Sequence, residues 1–499
     1  MSEQAKVEFI ARITDGDGKV IEKKVSGTAF PSSDSFDVTT REGFLSAFNV
    51  LEQSVLDARN KVGQEVTTEF LELVSKKKRD GQNIKFTAVE SELGRMPLCV
   101  CGQLASELKP KERVLAEAFL EAAARVCTRL SYRDSVDTLN RFLRRKGEET
   151  VKLRTLSNSM QRMGKEISWE LMTATERVLL MYGFDPETGL PKGETTALQS
   201  IAPRNCPENA VINEDTIRTV VDSINAEREE KILHLPQDIP MEAYPDTCVY
   251  LSIDNIGVKR QKSERQEGST RSSKFVENTV AHIQYGKETY VLTAIGMDNL
   301  FKSVLAFLLA NDLLQYELVF LTDGARDLKN RISTIFAFHP YIHILDWYHL
   351  KKKCMELLSM AICGKDQRNS TLEKLLRILW VGNVDSAKSY LSTLPSSYIK
   401  SQKWLDEVIA YLDRKADRIL CYAVRAKLGL RISSNPVEKT NDLLVAQRQK
   451  HNGMAWSPNG SGSLAVIEMI YRNAQEAMWF KDKQLLGFTS SCSHACICT

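Results

Sequence analysis

The sequence predicts a mixed α/β fold: a partly parallel sheet, preceded by a mostly helical N-terminal region and interrupted by an all-helical segment. Two apolar, β-rich runs end in an acid, at Cys248–Asp254 and Glu317–Asp323, and a third run covers Tyr341–His349. Residues 350–430 have helical patterning throughout, and strand character does not return after them. Strands that alternate with helices in this order are typical of an α/β sheet with some parallel pairs.

The chain has 499 residues, which is too long for one compact core, so several domains are expected. Residues 183–212 are dense in glycine, proline and other turn formers, which favours a domain boundary there. The predicted parts are an N-terminal α+β region (1–100), a helical region (101–182), a linker with a charged helix (183–244), an α/β core (245–349 with 431–480), a helical insertion (350–430) and a tail (481–499).

The N-terminal half begins with alternating apolar and polar residues over 5–30, broken by the turn formers Asp15–Gly18. This pattern predicts a β-hairpin. A helix is predicted over Glu42–Lys78, followed by a short extended stretch to Cys101.

A pair of helices is predicted inside the helical region 101–182. Ser131 can cap a first helix that ends before Gly147, and residues 152–165 form a short second helix rich in hydrogen-bonding side chains. A helix of that composition is typical of the recognition helix of a helix-turn-helix domain, whose DNA contacts here would include Lys152, Arg154 and Arg162. A plain helical hairpin with a polar outer face explains the same pattern, and both interpretations stay open.

In the second half, Thr279–Tyr285 and Glu288–Ile295 are joined by a short Gly-Lys turn and predict a hairpin. An amphipathic helix is expected over Lys302–Leu314 and a charged one over Asp215–Leu235.

Composition indicates a soluble globular protein, with 43% apolar and 26% charged residues. There is no run of about 20 apolar residues, which a membrane helix requires, and the first residues lack the apolar core of a signal peptide. A cytoplasmic location is therefore expected. The net charge is only +3, but basic residues are concentrated in local patches, which suits contact with a polyanion.

Eleven cysteines are scattered rather than paired at regular spacings, so reduced thiols are expected. Cys99 and Cys101 have no second pair at zinc-ribbon distance. The C-terminal run from Cys492 to Cys498 contains a histidine, but its spacing is tighter than that of structural zinc sites. A poorly specified terminus explains the tail better than a metal site does.

Asp254 and Asp323 are the first two candidates for a functional site. Each follows a buried strand, and open α/β sheets bind ligands at the carboxyl ends of their strands. Two neighbouring carboxylates repel each other unless a cation lies between them, and such hard oxygen ligands suit Mg²⁺ or Mn²⁺.

Glu438 is a third candidate, with a competing explanation. In Asn435-Pro-Val-Glu438 the asparagine can cap a helix, proline suits its first position, and the glutamate falls where a capping box places it. A glutamate fixed near a helix start can equally point at a metal ion.

These segments resemble the catalytic core of DDE transposases of bacterial insertion sequences. The resemblance covers about 245–480 and is to the branches with a long helical insertion (Mutator-like, hAT-like and ISKra/ISLre-like); Glu438 follows Asp323 by 115 residues. It implies an RNase H-like fold with the triad Asp254, Asp323 and Glu438, binding two Mg²⁺ or Mn²⁺ ions. Asp346-Trp-Tyr-His349 fits the branches' Cys/Asp-x-x-His signature, which implies that His349 positions the DNA strand or a water rather than binding metal.

The resemblance further implies metal-dependent strand cleavage at the ends of an element, followed by joining of the 3′-OH to target DNA. The partner is then double-stranded DNA at the nucleoid, and a homo-oligomer is expected because two ends are coupled. Residues of the core proposed to contact DNA phosphates are Lys259, Arg260, Arg448 and Lys450.

Two other functions remain open. One is a transposase-derived DNA-binding protein that has lost catalysis, although all three acids are present. The other is a hydrolase that uses paired carboxylates as general acid and base. That class predicts activity without metal and an aromatic cleft, whereas the segment that follows Asp254 is basic.

Overall fold

The structure is a computed structural model. It describes residues 6–14, 18–29, 39–76, 84–101, 105–106, 113–145, 147, 150–193, 212–227, 241–242, 245, 248–264, 274–450 and 454–485. Within them the chain forms two compact units, Met1–Arg162 and Met163–Thr499. The predicted turn Asp15–Gly18 (except Gly18 itself) and the cysteine-containing tail lie outside the described residues.

The first unit confirms the predicted hairpin and long helix. Its elements are β1 (Lys6–Thr14), β2 (Val20–Ala29), α1 (Arg41–Lys76), β3 (Ile84–Ser91), β4 (Gly94–Cys101), β5 (Arg113–Leu115), α2 (Glu117–Cys127), α3 (Tyr132–Phe142) and the first part of α4 (Leu153–Met181). Strands β1 and β2 pair antiparallel, and β3 lies between β4 and β5 in a three-stranded sheet.

A buried acid holds the three-stranded sheet to the helices of this unit. The Glu90 side chain is fully buried, and its carboxylate accepts hydrogen bonds from Arg95 (2.9 Å), Arg113 (3.0 Å) and Arg145 (3.0 Å). Charge-assisted bonds of this kind compensate for the desolvation of a carboxylate.

The prediction of a short helix over 152–165 is wrong in its length. Helix α4 continues to Met181, because a buried apolar stripe recurs every three or four residues from Leu156 through Met160 and Met163 to Val178. At Gly164 a Cβ atom would clash with Ser463, so glycine permits close packing. The predicted cap of α3 is confirmed: the Ser131 hydroxyl accepts a hydrogen bond from the Asp134 N–H (3.1 Å).

The second unit is built on a five-stranded sheet. Its strands are β6 (Val249–Lys259), β7 (Phe275–Tyr285), β8 (Glu288–Ala294), β9 (Leu318–Thr322) and β10 (Tyr341–Leu345), in the spatial order β10-β9-β6-β7-β8. The first three form an antiparallel meander, whereas β9 and β10 run parallel to β6. All five residues of β9 are buried, so both faces of the sheet are covered at its centre.

Helices surround this sheet. They are α5 (Glu214–Ala226), α6 (Met297–Ala310), α7 (Arg326–Ile335), α8 (Trp347–Ala361), α9 (Lys365–Trp380), α10 (Val384–Ser392), α11 (Gln402–Lys415), α12 (Tyr422–Lys427), α13 (Asn435–Asn441), α14 (Gln447–Gln449), α15 (Pro458–Arg472) and α16 (Glu476–Asp482). Residues 350–430 are helical, as predicted, and share one apolar core with β9 and β10. The second unit is thus mixed α/β.

In the part of the chain that the structure describes, no helix is long and apolar enough to cross a bilayer. Cys248, Cys354 and Cys363, among the cysteines whose side chains are described there, are free thiols.

Acid is expected to destabilise the protein through His282 on β7. Burial, and then the positive charge of Arg431, lower the pKa of His282 to about 4. Because this folded-state pKa lies below the unfolded value of about 6.5, the contribution to stability is complete above pH 6.5 and is lost as the pH falls toward 4. The slope from one such group is about 1.4 kcal/mol per pH unit.

This prediction is tested by urea unfolding of wild type and His282→Gln between pH 4 and 8. The difference in the free energy of unfolding should be constant above pH 7 and change in favour of the variant below about pH 6.5. A difference that does not vary with pH contradicts the assignment.

Candidate active site

Asp323 lies where it was predicted, directly after β9. Its Oδ1 atom accepts a hydrogen bond from the Ala325 N–H (2.8 Å), which fixes the carboxylate in the turn that leads into α7. Gly324 between them has φ +84°, and a Cβ atom there would lie 2.5 Å from the Leu345 side chain. The turn therefore requires glycine.

Asp254 lies within β6, not at its end as predicted. The antiparallel pairing with β7 continues to Lys259, so the strand does not stop at the acid. The parallel pairing with β9 does stop, at Ser252. Asp254 consequently lies just past the last parallel pair and on the same edge of the sheet as Asp323.

Glu438 is on α13, and the capping-box explanation is wrong. The helix begins at Asn435 and its N-cap is Ser434, with no side-chain cap hydrogen bond. Glu438 therefore lies one position too far along the helix for a capping box. Its Oε1 atom instead lies 3.7 Å from Nε2 of His349.

His349 is in the first turn of α8 rather than on a strand end. The reason is Asp346, whose side chain caps the helix by accepting a hydrogen bond from the His349 N–H (2.8 Å). The same Oδ1 atom lies 3.0 Å from His349 Nδ1. Because a carboxylate only accepts, Nδ1 carries a proton and Nε2 is the atom directed toward Glu438.

Asp346 also fixes the start of the Glu438 helix. Its Oδ2 atom accepts hydrogen bonds from the Ser434 N–H (2.5 Å) and hydroxyl (3.1 Å). Burial opposes ionisation of this fully buried group, but the hydrogen bonds from His349 and from the Ser434 N–H outweigh it, and the pKa of Asp346 is lowered. One buried carboxylate thus positions two neighbours of the site.

The three predicted acids share one electrostatic environment. The pKa of Asp254 is raised to about 6, first by burial and then by the negative charges of Asp323 and Glu438. A hydrogen bond from the Asn255 N–H (2.7 Å) and the charge of His349 act in the opposite direction. The pKa of His349 is raised, first by its hydrogen bond to Asp346 and then, against burial, by the negative charges of Asp346, Glu438 and Asp323. The structure brings the four predicted catalytic residues together.

This environment fits a divalent cation in its donor chemistry. Positive charge would favour the ionised form of Asp254, whose pKa is raised, and oxygen donors suit Mg²⁺ or Mn²⁺. Among the described residues, however, no three His, Cys, Asp or Glu side chains form a preformed metal-binding group.

A lysine from the helical insertion reaches the same edge of the sheet. Lys415, at the end of α11, donates a hydrogen bond from Nζ to the carbonyl oxygen of Gly324 (2.5 Å). Burial, then the charges of Arg418 and Arg414, lower the pKa of Lys415 to about 8. The insertion thus contacts the turn that holds Asp323.

The predicted DNA-contact residues of the second unit divide into two groups. Lys259 and Lys450 are exposed, and Arg260 is half-buried with a hydrogen bond to the Phe275 carbonyl (3.3 Å). Arg448 is buried against the Trp456 ring, 5.0 Å from its centre. That position leaves Arg448 no surface for a phosphate, which corrects its predicted role.

In the first unit, Lys152 and Arg154 are exposed at the start of α4, and Arg162 is half-buried further along. The helix-turn-helix interpretation remains a prediction.

Two residues of the site were missed as individual contributors. Asp346 was noted only as the first letter of a signature, although its position before a helix indicates an N-cap. Asn441 donates a hydrogen bond to Asp254 (2.7 Å) and was not singled out; its spacing of three residues from Glu438 was the available signal.

Comparisons with known proteins add little to this geometry. No protein-family model matches the sequence, and no curated protein matches it. Among solved structures, the chain is similar to the Drosophila P element transposase strand transfer complex, at 13% sequence identity, covering 70% of this chain and 88% of that chain with a TM-score of 0.17. A likeness at that TM-score supports no inference about fold or function.

Proposed function

We propose that the protein is a DDE transposase that cleaves DNA at the ends of an insertion sequence and joins the 3′-OH to target DNA. The observation that carries the proposal is the convergence of Asp254, Asp323 and Glu438 from two core strands and a later helix. Each of the other two acids acts on the pKa of Asp254, although Glu438 follows in sequence only after the whole helical insertion.

The sheet supports an RNase H-like core for this function. Its first acid is on the first strand, β6, its second follows the fourth strand, β9, and the glutamate lies on a late helix, which is the order that the resemblance implies. The insertion between β10 and α13 is all-helical, as in the Mutator-like, hAT-like and ISKra/ISLre-like branches.

The proposed cofactor is Mg²⁺ or Mn²⁺, two ions held by Asp254, Asp323 and Glu438. When bound, such ions activate a water and stabilise the departing 3′ oxygen. The three carboxylates would hold the ions, whose positive charge would offset the repulsion between them. Asp254, with a pKa near 6, must lose its proton before it can bind an ion.

His349 is proposed to hold a proton at the edge of the site. Asp346 keeps the Nδ1–H fixed, so Nε2 accepts or donates beside Glu438, 3.7 Å away. The raised pKa favours the protonated imidazole, whose positive charge would attract an anionic DNA strand.

Binding of double-stranded DNA is proposed to involve Lys259 and Lys450 near the core and Lys152 and Arg154 at the start of α4. The proposal includes a homo-oligomer, because strand transfer couples two element ends, and a location at the nucleoid in the cytoplasm.

The test is a cleavage assay on linear DNA that carries the sequences flanking the gene, with Mg²⁺, with Mn²⁺ or with EDTA. Wild type should produce nicks at fixed positions only with the metal, and Asp254→Asn and Asp323→Asn should lose them. Asp327→Asn, an exposed acid in the first turn of α7, is the matched control and should cleave normally.

Each contrary result has a meaning. Cleavage that survives both active-site variants overturns the triad. Cleavage in EDTA favours a metal-independent hydrolase. Salt-sensitive DNA binding without cleavage in any metal identifies a transposase-derived DNA-binding protein instead.

A further inference from the structure

Asn441 is a buried residue of the site, and only the NH₂ group of its amide has a hydrogen-bond partner among the described residues. It lies on α13 three residues after Glu438, so both side chains are on one face of the helix. Its side chain is 4% exposed, and its Nδ2 atom donates a hydrogen bond to Asp254 Oδ2 (2.7 Å).

The orientation of this amide follows from its neighbour. An ionised carboxylate only accepts hydrogen bonds, so the NH₂ group faces Asp254 and the carbonyl oxygen is left for another partner. That oxygen, Asn441 Oδ1, is buried and has no hydrogen-bond partner among the described residues. Buried acceptors are normally satisfied, and an unsatisfied one is costly, so the atom calls for a ligand.

The surroundings decide which ligand suits it. Asp254, Asp323 and Glu438 make this region negative, which excludes an anion and favours a cation or the water that a cation carries. An amide oxygen is a neutral, hard donor of the kind that Mg²⁺, Mn²⁺ and Ca²⁺ accept.

The backbone after Asn441 is also unusual. Residues Asp442–Ala446 form a π-helical turn between α13 and α14. Single π turns within α-helices occur frequently at functional sites, because the wider turn redirects side chains that an α-helix would place elsewhere.

We infer that Asn441 completes the divalent-cation site as a neutral oxygen donor, through Oδ1, while its NH₂ group orients Asp254. The inference rests on the proposed function, since it uses the same cation. It adds a fourth residue, from the glutamate helix, to the three carboxylates.

The test is Mn²⁺ binding by the full-length protein, measured by calorimetry and by the electron paramagnetic resonance of free Mn²⁺, without DNA. Asn441→Leu keeps the shape of the side chain but removes its carbonyl oxygen and its NH₂ group. The affinity for Mn²⁺ should fall by about 10- to 100-fold. Asn441→Asp replaces the neutral oxygen by a carboxylate. Without metal it repels Asp254, so its Tm should be below that of wild type, but Mn²⁺ should raise its Tm by more than it raises that of wild type.

The matched control is Asn473→Asp, at a half-buried asparagine whose Nδ2 donates to the Val291 carbonyl (2.8 Å) and whose Oδ1 accepts the Val291 N–H (2.9 Å). It should lower the Tm without changing the Mn²⁺ affinity.

The outcomes separate the two proposals. Unchanged Mn²⁺ affinity in Asn441→Leu, beside a wild type that binds Mn²⁺ and loses it in Asp323→Asn, overturns the inference alone. An Asn441→Asp protein whose Tm responds to Mn²⁺ no more than wild type shows that the residue only orients Asp254, and also overturns it. Absence of Mn²⁺ binding by wild type overturns the cation site of the proposed function and this inference with it.

Discussion

Glu438→Gln should lower the rate of metal-dependent DNA cleavage by about a thousandfold or more. The carboxylate is one of three that are proposed to hold the cations, and metal ions contribute several kcal/mol of transition-state stabilisation, at tenfold in rate for each 1.4 kcal/mol. Glutamine has nearly the same shape and makes no demand on the helix, because the Glu438 side chain does not cap α13. A loss of rate is therefore a chemical effect rather than a structural one.

The measurement is the single-turnover cleavage rate at saturating Mg²⁺, with the Tm of each protein recorded beside it. Asp442→Asn is the control, since Asp442 is an exposed acid four residues further along the same helical run. It should cleave at the wild-type rate. If Glu438→Gln cleaves within tenfold of wild type, Glu438 is not a member of the triad.

Arg425→Met should destabilise the second unit by about 3–5 kcal/mol, the usual result of leaving one buried charge unpaired. Arg425 and Glu242 are both fully buried and form a bidentate ion pair, with Nη1 donating to Oε2 (2.7 Å) and Nη2 to Oε1 (2.6 Å). The third guanidinium donor, Nε, bonds to the Arg431 carbonyl (3.0 Å), so the substitution also leaves that oxygen without its donor.

Urea unfolding followed by fluorescence measures the loss. The control is Lys427→Met on the same helix, α12, whose partner Glu227 is exposed; that pair should contribute no more than about 1 kcal/mol. The double variant Glu242→Leu with Arg425→Met should recover most of the loss, because no unpaired charge remains. Equal effects of Arg425→Met and Lys427→Met contradict the prediction.

Strand β9 was predictable because all of its side chains are buried, so it forms an unbroken apolar run in the sequence. The helical insertion was predictable from the helical patterning of residues 350–430. The end of β6 was not, because its last residues pair only with β7, and Asn255, Gly257 and Lys259 interrupt the apolar run. The acid at position 254 ended the apolar run without ending the strand.

The acids of the site were predictable from the sequence, but the residues that position them were not. Asp323 and Asp254 follow apolar runs, whereas Asp346 contacts Ser434, and Asn441 contacts Asp254, across long stretches of sequence. No local pattern reports such contacts. The same limit explains Arg448, whose charge indicated the surface while its stacking on Trp456 places it inside.

The contact between Asp346 and Ser434 allows the helical insertion to vary in length without moving Glu438. The insertion leaves the core directly after Asp346 and returns at Ser434, and the Trp347 N–H also bonds to the Ile432 carbonyl (3.1 Å). Entry and exit are therefore fastened side by side, ahead of Glu438. Since the entropy of closing a loop grows only slowly with its length, helices can be gained or lost between these two points while the glutamate stays in register with the two aspartates.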